Sequence, residues 1–121
     1  MEFDTKIHLG RLKLDGDHCP QRHMFDLGDC WVMRAVRRAG FPAEAIGAAI
    51  HAHVCGESGV VDRKNELENA WASLGVGAGR VVSRYPYMRV DKGRGTTGFL
   101  VIVTDGVGSK NPVTTVTVSE K

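Results

Sequence analysis

A chain of 121 residues with 42% hydrophobic side chains can bury one compact core and is too short for two. Its 16 Lys and Arg against 14 Asp and Glu leave a formal charge of only +2, which excludes a strong whole-molecule field for polyanions and makes a nucleic-acid partner the disfavoured one. No apolar run approaches the roughly 20 residues that cross a bilayer and no secretory leader opens the chain, so a cytoplasmic protein of a bacterial or virus-infected host cell, without a membrane partner, is expected.

In chain order, "TKIHLGRLKLDGD" alternates Ile7 and Leu9 with polar residues, turns near Gly10 and resumes with Leu12 and Leu14, the pattern of an N-terminal β-hairpin. Residues 15 to 28 have no hydrophobic period and carry Gly, Pro and Asp, which predicts a loop; it holds His18, Cys19 and His23. A first helix is expected from Asp29, whose short carboxylate suits an N-cap, to Gly40, with Val32, Ala35, Val36 and Ala39 on its core side and Arg34, Arg37 and Arg38 on a solvated one. After "GFP" a second helix runs through "AEAIGAAIHAHVCG" and stops at Gly56, making a helical hairpin with the first. A third starts from a cap at Asp62, runs through "RKNELENAWASLG" and ends at Gly75, with Leu67, Ala70, Trp71 and Leu74 on one face.

Beyond the link "GVGAG", β-branched and aromatic residues dominate "RVVSRYPYMRV", "GFLVIVTDG" and "VTTVTVSE", three expected strands. Pro86 places the first at a sheet edge or at a bulge, and "GFLVIV", apolar on both parities, reads as a central strand covered on both faces. The fold class that follows is α+β: a single domain over residues 1–121, with three short helices packed on an antiparallel sheet.

Three cysteines are an odd number, which argues against a simple disulfide framework and for free thiols, metal ligation or one reactive thiol in a reducing compartment. On the expected helix, Cys30 occupies the first turn, where unpaired N–H groups and the positive dipole end favour thiolate. The run Leu27-Gly28-Asp29-Cys30-Trp31, followed by Ala35 and Val36, resembles the nucleophile segment of calpain-like and papain-like cysteine proteases. A looser likeness is to ovarian-tumour type deubiquitinases, whose cysteine follows an Asp-Gly-Asp or Asp-Gly-Asn turn. The resemblance covers about ten residues and implies a minimal papain-like fold and a thiol hydrolase acting on a peptide, isopeptide or amide bond. In that reading Cys30 is the nucleophile, with its own backbone N–H at the oxyanion. Asp29 caps the helix and Trp31 shapes the pocket. Met24 stands where calpain-like enzymes carry glutamine, and no histidine follows His53, so the base is sought on the second helix as His53 or His51.

The same residues support a second reading. Cys19 and His23 are spaced Cys-x3-His and His51 and Cys55 His-x3-Cys, a ligand set sufficient for a structural zinc ion. This alternative is a non-catalytic interaction module of phage or mobile-element type that binds a peptide or protein partner, with Cys19, His23, His51 and Cys55 either holding zinc or packing. Cysteines near helix starts are commonly small buried side chains. Trp31 and Trp71 read as core anchors. "RYPYMRVDKGRG" interleaves Arg84, Tyr85, Tyr87, Arg89, Lys92 and Arg94 in the manner of a nucleic-acid track, a minority reading beside the near-neutral net charge.

Overall fold

A computed structural model describes residues 3–7, 27–75, 77, 79–91 and 94–119. The chain runs β1 (Phe3–Ile7), β2 (Asp29–Met33), α1 (Arg34–Arg38), α2 (Ala43–Val54), α3 (Arg63–Ser73), β3 (Val81–Asp91), β4 (Arg94–Asp105) and β5 (Val113–Ser119). It is an α+β fold in which one five-stranded sheet, ordered β1-β2-β5-β4-β3, carries the helices. The expected antiparallel sheet is mixed: β1–β2, β5–β4 and β4–β3 are antiparallel, but β2 lies parallel to β5. The chain leaves β2 through the helical segment and returns to β5 only after β3 and β4 have been laid down, so β5, last in order, becomes the middle strand.

Residues 29–33 correct the first helix. Asp29, Cys30, Trp31, Val32 and Met33 form a strand whose burial alternates, and the helix that follows spans only Arg34–Arg38. Helical spacing over Val32, Ala35, Val36 and Ala39 is an accident of a strand running straight into one and a half turns of helix. Asp29 is therefore an exposed strand residue, and no side chain caps α1. Of the expected N-terminal hairpin, Leu12 and Leu14 lie outside the described residues; β1 takes β2 as its partner, with Ile7 opposite Cys30 and Phe3 opposite Met33.

The other helices fall where their stop signals put them. α2 ends at Val54, with Cys55 as its C-cap and Gly56 at φ +85°, the left-handed residue that closes many helices. Asp62 caps α3, its Oδ1 accepting the Asn65 N–H at 2.8 Å.

One face of the sheet is the core. Cys30, Val32, Thr114, Val116, Thr104, Ile102, Leu100 and Ser83 share it by register and are all buried. Val36 of α1 and Ile46, Ile50 and Val54 of α2 close over them. Alternate residues Trp31, Val101, Val103, Thr115 and Thr117 are only half-buried, so β4 is interior yet covered on one side rather than both. β3 is the edge strand that Pro86 predicts. Opposite Tyr87 stands Gly98, where a Cβ would lie 2.9 Å from the phenol ring, so the glycine makes room for Tyr87 to lie across the strand. Tyr87 in turn meets Phe41 edge-on, ring centroids 4.7 Å apart.

Candidate functional site

The segment 27–31 is shaped by packing. Gly28 has φ +61°, and a Cβ there would lie 1.9 Å from the Pro112 carbonyl oxygen, so only glycine lets this backbone pass against the β4–β5 connection. The Leu27 carbonyl accepts a hydrogen bond of 2.7 Å from the Thr114 hydroxyl, which ties the entry of β2 to β5. Period-two alternation then puts Cys30 into the core, at 0% exposure, and Trp31 on the opposite face. Trp31 therefore shapes no pocket beside Cys30, and as a half-buried side chain it is an outer-face residue more than a core anchor. Cys30 is a free thiol, and burial alone pushes it up to about 12, the reverse of the acid shift an activated thiolate needs. The helix N-terminus that would have lowered it lies four residues further on.

His53 is likewise sealed, at 0% exposure, and both ring nitrogens meet hydroxyls: Nδ1 is 2.6 Å from Ser83 Oγ and Nε2 is 2.8 Å from Thr104 Oγ1. Thr104 Oγ1 is 2.7 Å from Thr114 Oγ1, which continues to the Leu27 carbonyl. Proton counting orders the whole chain. A carbonyl can only accept, so Thr114 donates to Leu27; its one proton spent, Thr114 accepts from Thr104. Thr104 therefore accepts from His53 Nε2–H, and Nδ1 is left to accept from Ser83. The imidazole is neutral, as its burial requires: desolvation holds its pKa down to about 3.

A serine within hydrogen-bond reach of a histidine is the arrangement of an activated nucleophile. Here Ser83, His53, Thr104 and Thr114 are all fully enclosed, and the hydroxyl that takes the Nε2–H is that of a threonine rather than a carboxylate. Among the described residues no buried side-chain polar atom lacks a partner. The cluster is a satisfied polar seam that joins α2 to three strands.

His51, half-buried, points elsewhere, its Nε2 3.7 Å from Cys55 Sγ. This realises the i, i+4 pairing expected of the zinc reading. Cys55, however, is disulfide-bonded, and a disulfide sulfur is not the thiolate that zinc takes. An odd cysteine count thus leaves Cys30 free while Cys55 is cross-linked. Cys19 and His23 lie outside the described residues. Among the described residues no three His, Cys, Asp or Glu side chains gather as a metal group.

What sequence reasoning misplaced is Trp71, read as a core anchor but exposed on α3. Leu67, Ala70, Trp71 and Leu74 do share one stripe, but it is the exposed one: Leu67 is 44%, Trp71 48% and Leu74 73% accessible, with Val60 at 57% near the helix start. The inward side is held instead by Ala72 and by Asn69. The Asn69 amide donates to the Val82 carbonyl at 2.8 Å and accepts the Val82 N–H at 2.8 Å, and it also reaches Ser58 Oγ at 3.1 Å. Beside it, the Arg84 N–H donates to the Ser58 carbonyl and the Val60 N–H to the Arg84 carbonyl. Gly59 makes the close approach possible, since a Cβ would lie 2.2 Å from the Arg84 carbonyl oxygen. The helix is thus pinned to the edge of β3 by polar bonds, which frees its apolar stripe. The signal available in the sequence was Asn69 itself, the polar residue in the middle of the helix.

Comparison of the chain with protein-family models, with curated proteins and with solved structures finds no match. No described helix is long and apolar enough to cross a membrane.

Proposed function

We propose that this chain is a non-catalytic interaction module that binds a protein partner through the stripe Leu67, Trp71 and Leu74 of α3. The supporting observation is the exposure of Trp71 and its two leucine neighbours on a helix that is already anchored on its other side. Large contiguous apolar surface is rare on a protein that works alone, and tryptophan is the side chain most enriched among the few residues that carry binding energy. The thiol-hydrolase reading of Cys30 has the weaker support, because the sulfur is enclosed in a strand and its acidity runs the wrong way.

Affinity capture from the cells of origin, with wild-type and Trp71→Glu baits compared by quantitative mass spectrometry, followed by calorimetry on the recovered protein, tests this reading. The expected result is a directly binding protein lost at least tenfold from the variant, on the scale of roughly 2 kcal/mol for a hot-spot residue. Equal recovery by two baits with the same melting temperature rejects the stripe as the contact.

A further inference from the structure

We propose that the occupant of the α3 stripe is a second copy of this chain, the two helices packing antiparallel about a two-fold axis. The inference rests on the reading of the stripe as a contact surface and names what covers it. Spacing, anchoring and charge carry it.

Lys64, Leu67, Trp71 and Leu74 are all exposed and follow one another at intervals of three, four and three, the repeat of a seam between two helices. Asn69, on the other side of α3, is committed to the Val82 backbone by two bonds of 2.8 Å, so the seam is held facing away from the sheet. The four positions are symmetric about 69. An antiparallel helix therefore sets Leu67 against Trp71 of the second copy and Lys64 against its Leu74. Such a pair closes on itself, each copy presenting the same patch. Ala70, small and exposed at the margin of the seam, lets a second backbone come near.

Charge selects the occupant and its direction. The C-terminal end of a helix favours cations, yet α3 has none in its last turn, while Arg63 and Lys64 stand in its first. The acid of that first turn, Glu66, lies off the seam. Neither Arg63 nor Lys64 is in an ion pair among the described residues. In an antiparallel pair, the two cations of each helix come beside the C-terminal end of the other, and both ends are complemented at once. A parallel pair would set Lys64 beside Lys64. The stripe is thus complementary to itself turned end for end.

Sedimentation velocity of the purified full chain from about 1 µM to about 200 µM tests the proposal. One 11-residue helix offers less than the roughly 800 Å² per partner of a standard interface, so a reversible dimer that dissociates in the micromolar range is expected. Trp71→Glu should weaken it at least tenfold and Arg63→Ala/Lys64→Ala at least about threefold. Neither variant should melt below the wild type at about 1 µM, where every form is monomeric. Arg38→Ala/Lys110→Ala, which removes equal charge from exposed positions elsewhere, should leave the dimer intact. A chain monomeric throughout this range, equal loss in the control variant, or tighter association of Arg63→Ala/Lys64→Ala, as a parallel pair requires, overturns the proposal. A monomer that still captures a Trp71-dependent protein from cells removes self-pairing alone and leaves the interaction module standing; a dimer indifferent to Trp71→Glu removes the stripe from both.

Discussion

Ser83 and His53 are joined by a 2.6 Å hydrogen bond in which the hydroxyl donates to Nδ1, at a point where neither side chain touches solvent. Two groups that could have formed a catalytic pair instead fasten α2 to β3. An imidazole whose folded pKa lies near 3 binds its proton more readily in the unfolded chain, near 6.5. The folded state therefore keeps its full advantage above about pH 6.5 and loses it as pH falls toward 3. Urea denaturation at pH 7 and pH 5 should show a loss of about 2 kcal/mol from this group. In His53→Gln that increment should disappear, whatever the variant costs at neutral pH; an unchanged pH slope contradicts the assignment.

Ser83→Ala removes the donor to a buried ring nitrogen and should cost about 1–3 kcal/mol, the penalty of an unsatisfied buried acceptor. Thr104→Val should cost at least as much, because it interrupts the relay at two bonds at once. The double variant should be less destabilised than the sum, since both substitutions act on one network. Strict additivity in thermal melts would mean the hydroxyls act independently.

Cys30 should resist alkylation in the folded protein. With the sulfur enclosed and its thiol pushed up to about 12, iodoacetamide at pH 7 should modify it only through unfolding, so the rate should track denaturant concentration. Peptide mapping reads this directly. Rapid labelling of native Cys30 below pH 8 would revive the nucleophile.

The strands β3, β4 and β5 and the ends of α2 and α3 were legible because each rests on a local signal: β-branched runs, Asp62 as cap, Gly56 and Gly75 as left-handed stops. Residues 29–33 were legible too, in principle. Their alternation of Asp29 and Trp31 with Cys30 and Val32 is strand-like, but five residues beside a helix can be read on either period. The orientation of α3 was not legible, since periodicity says that Leu67, Trp71 and Leu74 share a face and is silent on what that face meets. The hydroxyl relay is non-local, bringing together residues as far apart as Leu27 and Thr114, and no spacing rule finds it.

Gly28→Ala and Gly40→Ala both place a side chain at positive φ, and they should differ sharply. At Gly40, φ +83°, nothing lies within 4 Å of the new Cβ, so about 1 kcal/mol of backbone strain is the whole cost. At Gly28 the same atom meets the Pro112 backbone, and at least about 3 kcal/mol is expected. Similar melting temperatures would mean that the approach of β2 to the β4–β5 connection is looser than described.

Asn69→Leu keeps the size of the side chain and removes its imitation of a neighbouring strand. It should cost about 2 kcal/mol and leave the Val82 N–H and carbonyl open at the sheet edge. Light scattering on warming should rise well before that of the wild type. A variant as stable and as soluble as the parent would show that α3 is held by packing alone.

The parallel pairing of β2 with β5 joins Asp29 to Val113, 113 − 29 = 84 positions apart, and puts the strand that follows all others into the middle of the sheet. During synthesis β1 can pair with β2 and β3 with β4 early, but the two pairs have nothing to join them until β5 emerges between β2 and β4. Any truncation before residue 113 would therefore leave two fragments with raw, adhesive borders in place of a slightly shortened domain, which makes the intactness of this short C-terminal stretch the condition on which the architecture depends.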